Sequence, residues 1–134
     1  AGRGLWLESV GLDGAVKFGN SVRASNNVHI ASLSNITIGD NVLIGSNVLI
    51  SDHSHGAWDK KNLDVAPFAR KLVSKGGVRI GDNVWICDGV VVLGGVTIGN
   101  GSIIAANSVV IYDIPAYTLA AGVPAQVKKC FEQK

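Results

Sequence analysis

A repeat of six residues is the feature of this sequence that most constrains its fold. Over residues 80–115, six consecutive hexads each begin with Ile or Val, and the second place is Gly or Ala in three of them. The same frame recurs over residues 38–49 and continues upstream through Phe18, Ala24 and Ile30. A period of six fits poorly with the 3.6 residues of a helical turn, and the β-branched residues favour strands. Each hexad is therefore predicted to be a short strand followed by a turn.

Stacked hexads predict an all-β solenoid. The turn positions carry Gly, Asn or Asp, which tolerate a positive φ angle. Successive coils would lie about 4.8 Å apart through parallel backbone pairing. Their apolar faces would be buried only by stacking on one another. An ordinary sandwich of short strands would not hold a six-residue register through residues 80–115. The sequence therefore predicts a parallel β-helix.

The repeat is interrupted in three places. The step from Ile30 to Ile38 is eight residues, which predicts a two-residue bulge. Residues 52–77 lack the repeat and carry five of the 12 basic residues, so we predict a protruding loop; such excursions are usually functional or disordered. After Pro115 the repeat ends, and residues 124–134 are predicted to form a short helix over the open edge. The predicted division is a β-helix over 1–117 and a C-terminal segment over 118–134.

Composition excludes several classes of protein. The 134 residues suffice for one domain, and a net charge of +2 gives no support for nucleic-acid binding. The apolar runs are too short to span a membrane. Hydrophobic residues make up 47%, which argues against disorder, and the 17 glycines do not recur at every third place as in collagen. With only Cys87 and Cys130, no disulfide framework is expected, and we predict a reducing, cytoplasmic location.

The three histidines are the candidate proton acceptors. His29 occupies the sixth place of a hexad beside a turn, where a structural role is expected. His53 and His55 lie where the repeat breaks, so their side chains could reach beyond the rod toward a neighbouring chain. Histidine is the side chain best suited to take a proton near neutral pH. Two solvated loop histidines remain the alternative interpretation.

Other chemistries find less support. Cys87 sits at a second place, where a small residue is required, so its role is predicted to be packing. A catalytic metal site needs three ligands and an open position, and no third ligand is evident beside His53 and His55. No metal is therefore expected. Asp52 could orient a histidine or serve the turn, and the sequence leaves both roles open.

Several motifs together resemble the hexapeptide-repeat acyltransferases, in particular the sugar O-acetyltransferases of the galactoside, maltose, lipopolysaccharide and capsule types. They are Ile-Thr-Ile-Gly-Asp-Asn-Val-Leu-Ile at 36–44, the stretch 80–86, Gly-Val-Thr-Ile-Gly at 95–99, Asp-Ile-Pro at 113–115 and Ala-Gly-Val-Pro-Ala at 121–125. The resemblance extends over residues 24–130. It implies a single-stranded left-handed β-helix with three hexapeptides per coil, acetyl-CoA as donor, a hydroxyl as acceptor, and a homotrimer with active sites between subunits.

The resemblance also implies roles for individual residues. The general base of the family ends the strand before the loop, which here is His55. It would deprotonate the acceptor hydroxyl in a direct transfer within a ternary complex. The acceptor side would include His53 and, where galactoside acetyltransferases carry an acceptor-binding Asn, Ser25 with Asn26 beside it. The implied cofactor-binding residues are Trp85, Ala105, Ala106 and Lys129.

The sequence departs from the galactoside-type pattern at several positions. Gly56 stands where those enzymes have a proline after the histidine, and Ile111-Tyr112 replaces a Thr-Lys near the tail of the cofactor. The resemblance does not extend to their N-terminal helical substrate domain, so the acceptor remains open between a sugar hydroxyl, an amino sugar, serine and an antibiotic. Two alternative functions also remain: a carbonic-anhydrase-like metal hydratase on the same fold, and a non-catalytic solenoid that serves as a binding module.

Overall fold

The structure is a computed structural model that describes residues 2–131. Almost all of its regular structure is extended, and in the regular coils each short strand joins the last place of one hexad to the first place of the next. One short helix, α1 (Lys60–Leu63), and one 3-10 turn, Pro67–Ala69, lie in the excursion from the repeat. The strands of the described residues are β1 (Trp6–Ser9), β2 (Val16–Phe18), β3 (Arg23–Ala24), β4 (His29–Ser32), β5 (Ile36–Ile38), β6 (Leu43–Ile44), β7 (Leu49–Ser51), β8 (His53–His55), β9 (Leu72–Ser74), β10 (Val78–Ile80), β11 (Trp85–Ile86), β12 (Val91–Val92), β13 (Thr97–Ile98), β14 (Ile103–Ile104), β15 (Val109–Val110), β16 (Thr118–Gly122) and β17 (Ala125–Cys130).

Parallel pairing joins these strands into three sheets that form the faces of a prism. The first face has the order β1-β4-β7-β12-β15, the second β13-β10-β5-β2 and the third β17-β16-β14-β11-β6-β3. Strands of the three faces alternate along the chain, so three hexads complete one coil. In the regular coils each residue pairs with the one 18 positions later, as Trp85 pairs with Ile103. The predicted parallel β-helix with three hexapeptides per coil is confirmed.

The first place of each hexad points into the prism. Ile44, Ile86 and Ile104 are paired in successive coils of the third face, and all three are fully buried. The first and second faces bury equivalent columns, and together the three columns form one continuous core. A single coil would leave these side chains in water, so the rod is stabilised only by coil-on-coil stacking.

Asn residues make many of the corners. Among residues 2–131, five of the seven non-glycine residues with positive φ are Asn, for example Asn41 at 57° and Asn83 at 57°. Asn tolerates the left-handed region better than other residues with a Cβ, which explains its recurrence in the hexads. The predicted bulge is also confirmed. His29 pairs with Leu49, 20 residues on rather than 18, because two extra residues lie in the corner after β4.

The predicted C-terminal helix is wrong. Residues 125–130 form β17, which pairs antiparallel with β16, and β16 itself pairs parallel with β14 and so continues the third face. An exposed sheet edge presents unpaired N–H and C=O groups, and a strand can pair with them whereas a helix cannot. A helix of this length also has little stability of its own. The last three residues of the predicted helix, 132–134, lie outside the described residues.

Deleting a core side chain should show how much the stack contributes to stability. We expect Ile86→Ala to lower the free energy of unfolding by about 2–5 kcal/mol, because the side chain is fully buried between two coils that cannot collapse onto the cavity. Urea unfolding measures the change. The exposed Arg79, on the second face, gives the matched control Arg79→Ala, with an expected change within about 0.5 kcal/mol. Equal effects of the two substitutions would contradict the stacked core.

Within residues 2–131, the helices are all shorter and less apolar than a bilayer crossing requires.

Candidate functional site

The excursion leaves the rod after β7 and rejoins it at β10. Ile36 pairs with Val78, 42 residues later, where a regular coil advances 18. The two ends of the excursion form an antiparallel hairpin in which His53 pairs with Ser74 and His55 with Leu72. Both candidate histidines therefore lie on a strand that is fixed to the rod, at the corner between the first and second faces.

A buried carboxylate fixes the base of this hairpin. The side chain of Asp52 is fully buried, and it accepts four hydrogen bonds. Its Oδ1 accepts from the Leu33 N–H at 2.7 Å and contacts Nδ1 of His53 at 3.1 Å. Its Oδ2 accepts from the Ser34 N–H at 2.8 Å and the Ser32 hydroxyl at 3.0 Å. The bulged corner of the preceding coil thus supplies the donors that hold Asp52.

Asp52 stays ionised in spite of its burial. Burial acts to raise the pKa of its carboxyl, but the hydrogen bonds from the Leu33 amide, His53, the Ser34 amide and Ser32 outweigh that effect. The pKa of Asp52 is therefore lowered from the ordinary value of 3.8. At neutral pH the group is a carboxylate, which can only accept hydrogen bonds.

The lowered pKa of Asp52 predicts a loss of stability in acid. Below pH 3.8 the unfolded chain binds a proton at Asp52 more readily than the folded chain does. The contribution of the carboxylate is therefore complete above that pH and is lost as the pH falls through the folded pKa. We expect the difference in free energy of unfolding between the wild type and Asp52→Asn, measured in urea, to be smaller at about pH 3 than at about pH 5. An unchanged difference would contradict the lowered pKa.

His55 is exposed at the end of β8. In the part of the chain that the structure describes, its ring makes no hydrogen bond or ion pair with another side chain. Gly56 follows with a φ of +89°, which a proline, restricted to about −65°, could not adopt. A Cβ at Gly56 would also lie 3.0 Å from the side chain of Arg70. At Gly56 the backbone therefore enters the loop in a conformation that differs from the one a proline would impose.

His29 is not part of this cluster. Its ring stacks on Trp6 with centroids 3.9 Å apart, and its Nε2 lies 3.0 Å from Oε1 of Glu8. It pairs with Leu49 on the first face, before the chain reaches the corner that carries His53 and His55. Across residues 2–131, no three His, Cys, Asp or Glu side chains are grouped so that they could hold a metal ion. Within one chain, His29 thus lies apart from His53 and His55.

The four predicted cofactor-binding residues lie along the third face and its far edge. Trp85, Ile103, Leu119 and Lys129 follow one another in register across β11, β14, β16 and β17. Trp85 is 49% exposed, and Lys129 is exposed with its Nζ 5.4 Å from the ring centroid of Phe131. Ala105 and Ala106 form the corner that follows β14. The third face thus carries an exposed strip with an aromatic ring, two small side chains and a cation.

Ser25 and Asn26 lie at the corner between the third and first faces, on the same edge as Ala105. The Oδ1 of Asn26 accepts the Arg3 N–H at 2.8 Å, and the Asn26 N–H donates to the Ser46 hydroxyl at 3.2 Å. Within one chain these groups therefore stabilise the corner. The first face separates them from His53 and His55, so one chain does not bring the predicted acceptor residues together.

Cys87 has the character of a packing residue. Its side chain is partly buried in the corner after β11. Burial, with a further contribution from the charge of Asp88, raises the pKa of the Cys87 thiol. A raised pKa disfavours the thiolate, which is the nucleophilic form.

The sequence did not reveal how the site is supported. The eight-residue step after Ile30 predicts a bulge but not that the Leu33 and Ser34 amides point at a carboxylate 18 or 19 residues later. One signal was available, because Asp52 directly follows the last strand before the excursion and the bulge lies one coil earlier in the same corner. If successive corners are stacked in register, Asp52 is predicted to lie against the bulge of the preceding coil.

Two family models match the chain. The model of the bacterial transferase hexapeptide (six repeats) matches residues 77–111, and that of the hexapeptide repeat of succinyl-transferase matches residues 35–51. Both segments belong to the rod, one on each side of the excursion.

Solved structures extend the similarity over almost the whole chain. A hexapeptide-repeat containing acetyltransferase of Vibrio cholerae O1 biovar eltor, solved with acetyl coenzyme A, is 34% identical, with a TM-score of 0.83 over 96% of this chain and 66% of its own. A maltose O-acetyltransferase of Clostridium difficile 630 is 31% identical, with a TM-score of 0.76 over 96% of this chain and 67% of its own. The chain belongs to the hexapeptide-repeat acetyltransferases. The predicted left-handed β-helix is thereby confirmed.

Among curated relatives of this hexapeptide-repeat family, the protein of Escherichia coli (strain K12) named "Putative lipopolysaccharide biosynthesis O-acetyl transferase WbbJ" is 40% identical over 88 residues. The match covers 63% of this chain and 44% of the relative. The chain therefore spans less than half the length of that relative.

Proposed function

We propose that this chain is an acetyl-CoA-dependent O-acetyltransferase that acts on a hydroxyl of a sugar or polysaccharide precursor. The observation that carries the proposal is the pair His53 and His55, fixed to the rod at the start of the excursion in a chain of the hexapeptide-repeat family. Similar proteins are named for acetyl transfer to maltose and for lipopolysaccharide biosynthesis, and one was solved with acetyl coenzyme A.

His55 is the general base in this proposal. Its exposed ring is available to an acceptor, since it has no side-chain partner in the described part of the chain. Nε2 or Nδ1 takes the proton as the acceptor oxygen bonds to the thioester carbonyl carbon, and the carbon–sulfur bond then breaks. The proton passes from His55 to the departing thiolate. This is a direct transfer in a ternary complex, with no acyl-enzyme.

The donor side consists of Trp85, Ala105, Ala106 and Lys129. Acetyl-CoA supplies an activated acetyl group on a long, phosphate-bearing carrier. The chemistry of the strip on the third face fits such a molecule. Trp85 offers an exposed ring, Ala105 and Ala106 leave the backbone accessible, and Lys129 offers a cation to a phosphate.

The acceptor side consists of His53, Ser25 and Asn26. His53 and His55 lie at the corner between the first and second faces, whereas Ser25 and Asn26 lie at the other edge of the first face, with Ala105. A site shared between two subunits would bring the two edges together. The proposed assembly is therefore a homotrimer with active sites between subunits.

The outward surfaces of the rod support self-association. The second face is polar, with a column of Lys17, Thr37, Arg79 and Thr97. The other two faces carry apolar columns in register: Leu49, Val91 and Val109 on the first, and Leu43, Trp85, Ile103 and Leu119 on the third. A second and a third copy of the chain would pack against these two faces in a closed ring, with the donor strip of the third face at the seam between subunits.

A cytoplasmic location fits this function. Acetyl-CoA is the donor, and both Cys87 and Cys130 are free thiols. The proposed partners are the sugar acceptor and acetyl-CoA, without a nucleic acid.

Thiol release tests the proposed function. Purified protein is mixed with acetyl-CoA and, in turn, maltose, methyl β-D-galactopyranoside, N-acetylglucosamine and serine, and free thiol is followed over time. Release that depends on a sugar is the expected result. Binding of CoA without release for any acceptor would contradict the sugar class, and absence of CoA binding would favour the non-catalytic solenoid.

A further inference from the structure

The contact between Asp52 and His53 decides which ring nitrogen carries hydrogen. Asp52 is an ionised acceptor that is already bonded to two backbone amides and a hydroxyl, so it has no hydrogen to offer. The 3.1 Å contact with Nδ1 of His53 is therefore a hydrogen bond in which Nδ1–H donates. In the neutral ring the remaining nitrogen, Nε2, then carries a lone pair and can only accept.

Nε2 of His53 reaches the surface. The side chain of His53 is 11% exposed. In the described residues every buried side-chain nitrogen or oxygen has a hydrogen-bond partner, and no such partner is present there for Nε2 of His53. The accessible part of this nearly buried ring thus includes its accepting atom.

The two histidines face the same side of one strand. His53 and His55 are two residues apart on β8, so their side chains point to the same face, with Cα atoms about 6.6 Å apart. Of these two rings, in the described residues, that of His53 contacts a carboxylate and that of His55 does not. The two rings are therefore not equivalent: a carboxylate orients the ring of His53, whereas no side chain of the described residues bonds to the ring of His55.

We propose that Asp52 is a positioning residue that holds His53 as the Nδ1–H tautomer, so that Nε2 accepts a hydrogen bond from a second hydroxyl of the acceptor. This inference rests on the proposed function, in which His55 deprotonates the hydroxyl that is acetylated. It narrows the acceptor to a molecule with two hydroxyls within reach of one another, which is typical of sugars and excludes a single isolated alcohol.

Replacing Asp52 by Asn distinguishes orientation from burial, because the two side chains have nearly the same shape. The amide keeps one accepting oxygen and turns the other into an NH₂ group. An NH₂ group in the place of Oδ1 cannot accept from Nδ1–H of His53 or from the Leu33 N–H. An NH₂ group in the place of Oδ2 cannot accept from the Ser34 N–H. With the NH₂ group facing the ring, His53 adopts the Nε2–H tautomer and loses its outward acceptor.

The tautomer is measured first, without substrate. Long-range ¹H–¹⁵N correlation spectra of the ¹⁵N-labelled protein assign the protonated nitrogen of each imidazole, and His53→Ala identifies the signals of His53. We expect Nδ1–H in the wild type and a shift toward Nε2–H in Asp52→Asn. An Nε2–H tautomer in the wild type would overturn the proposal, and this readout holds even if no sugar is acetylated.

Kinetics then separate positioning from a structural effect. With acetyl-CoA and methyl β-D-galactopyranoside, we expect Asp52→Asn and His53→Ala each to raise the acceptor KM roughly three- to tenfold, with kcat and the KM of acetyl-CoA little changed. If Asp52 acts through His53, the double variant is no worse than His53→Ala. Additive effects on the acceptor KM would overturn the proposal.

Two controls sharpen the result. Asp40→Asn makes the same substitution at a corner carboxylate that accepts the Asn20 N–H at 2.7 Å, far from a histidine, and should leave the acceptor KM unchanged. Monodeoxy derivatives of the galactopyranoside should include one that loses affinity for the wild type but not for His53→Ala. If no derivative behaves so, the second hydroxyl is not recognised by His53. If the wild type acetylates no sugar while His53 shows Nδ1–H, the proposed function fails but the tautomer assignment stands.

Discussion

We expect His55→Ala to lower kcat for acetyl transfer about 10²- to 10⁴-fold, the range that a positioned general base contributes. Without the imidazole, the acceptor hydroxyl must lose its proton to water while it attacks the thioester. The exposed ring has no side-chain partner in the described residues, so the substitution should leave the rod, its assembly and CoA binding intact. Initial rates of sugar-dependent thiol release measure the change, and CoA binding by calorimetry checks that the donor site is unaltered.

His53→Ala is the matched control, since it removes the same side chain two residues away on the same strand. We expect its effect to fall on the acceptor KM rather than on kcat. Unchanged turnover in His55→Ala would contradict the assignment of the base. A large loss of kcat in His53→Ala, with little loss in His55→Ala, would transfer that role to His53.

The second large effect is a recovery of activity when two inactive variants are mixed. His55→Ala removes the proposed base at one edge of the first face, and Ala106→Trp places a large ring on the proposed donor strip at the other edge. If each active site takes one edge from each of two subunits, a mixed trimer contains sites with neither change. After denaturation and refolding of an equal mixture, we expect about a quarter of the wild-type activity, from random assembly of heterologous interfaces.

Each variant refolded alone gives the baseline, and both should stay nearly inactive. Sedimentation of the mixture establishes that subunits have reassembled. If trimers form but activity is not recovered, the base and the donor strip of each active site come from the same chain. A chain that sediments as a monomer would contradict the homotrimer itself.

The rod was predictable because its information is local and repeated. Buried Ile86 and Ile104 occupy the same place in their hexads, and Asn41 and Asn83 occupy the same corner. Each coil therefore repeats the backbone conformation of the coil before it. The step from Ile30 to Ile38 even located the bulge. A register error would have moved these side chains out of the core, which a solenoid without other contacts cannot tolerate.

The C-terminal segment was not predictable in the same way. Residues 125–130 carry no hexad, and a proline followed by lysines is compatible with the first turn of a helix. What decided the outcome is the unpaired edge of β16, which depends on the last coil being in place. A strand that completes a sheet draws its stability from a distant part of the chain rather than from its own residues.

The sequence alone determined the coil and its corners and indicated the candidates His53 and His55, because each follows from residues near one another in the chain. Only the tertiary structure decided what Asp52 does. Its four partners come from the preceding coil and from its neighbour His53, and their donors meet one carboxylate only after the coils have stacked. A hydrogen bond depends on the direction of each donor as well as on its distance, and those directions exist only in the folded rod.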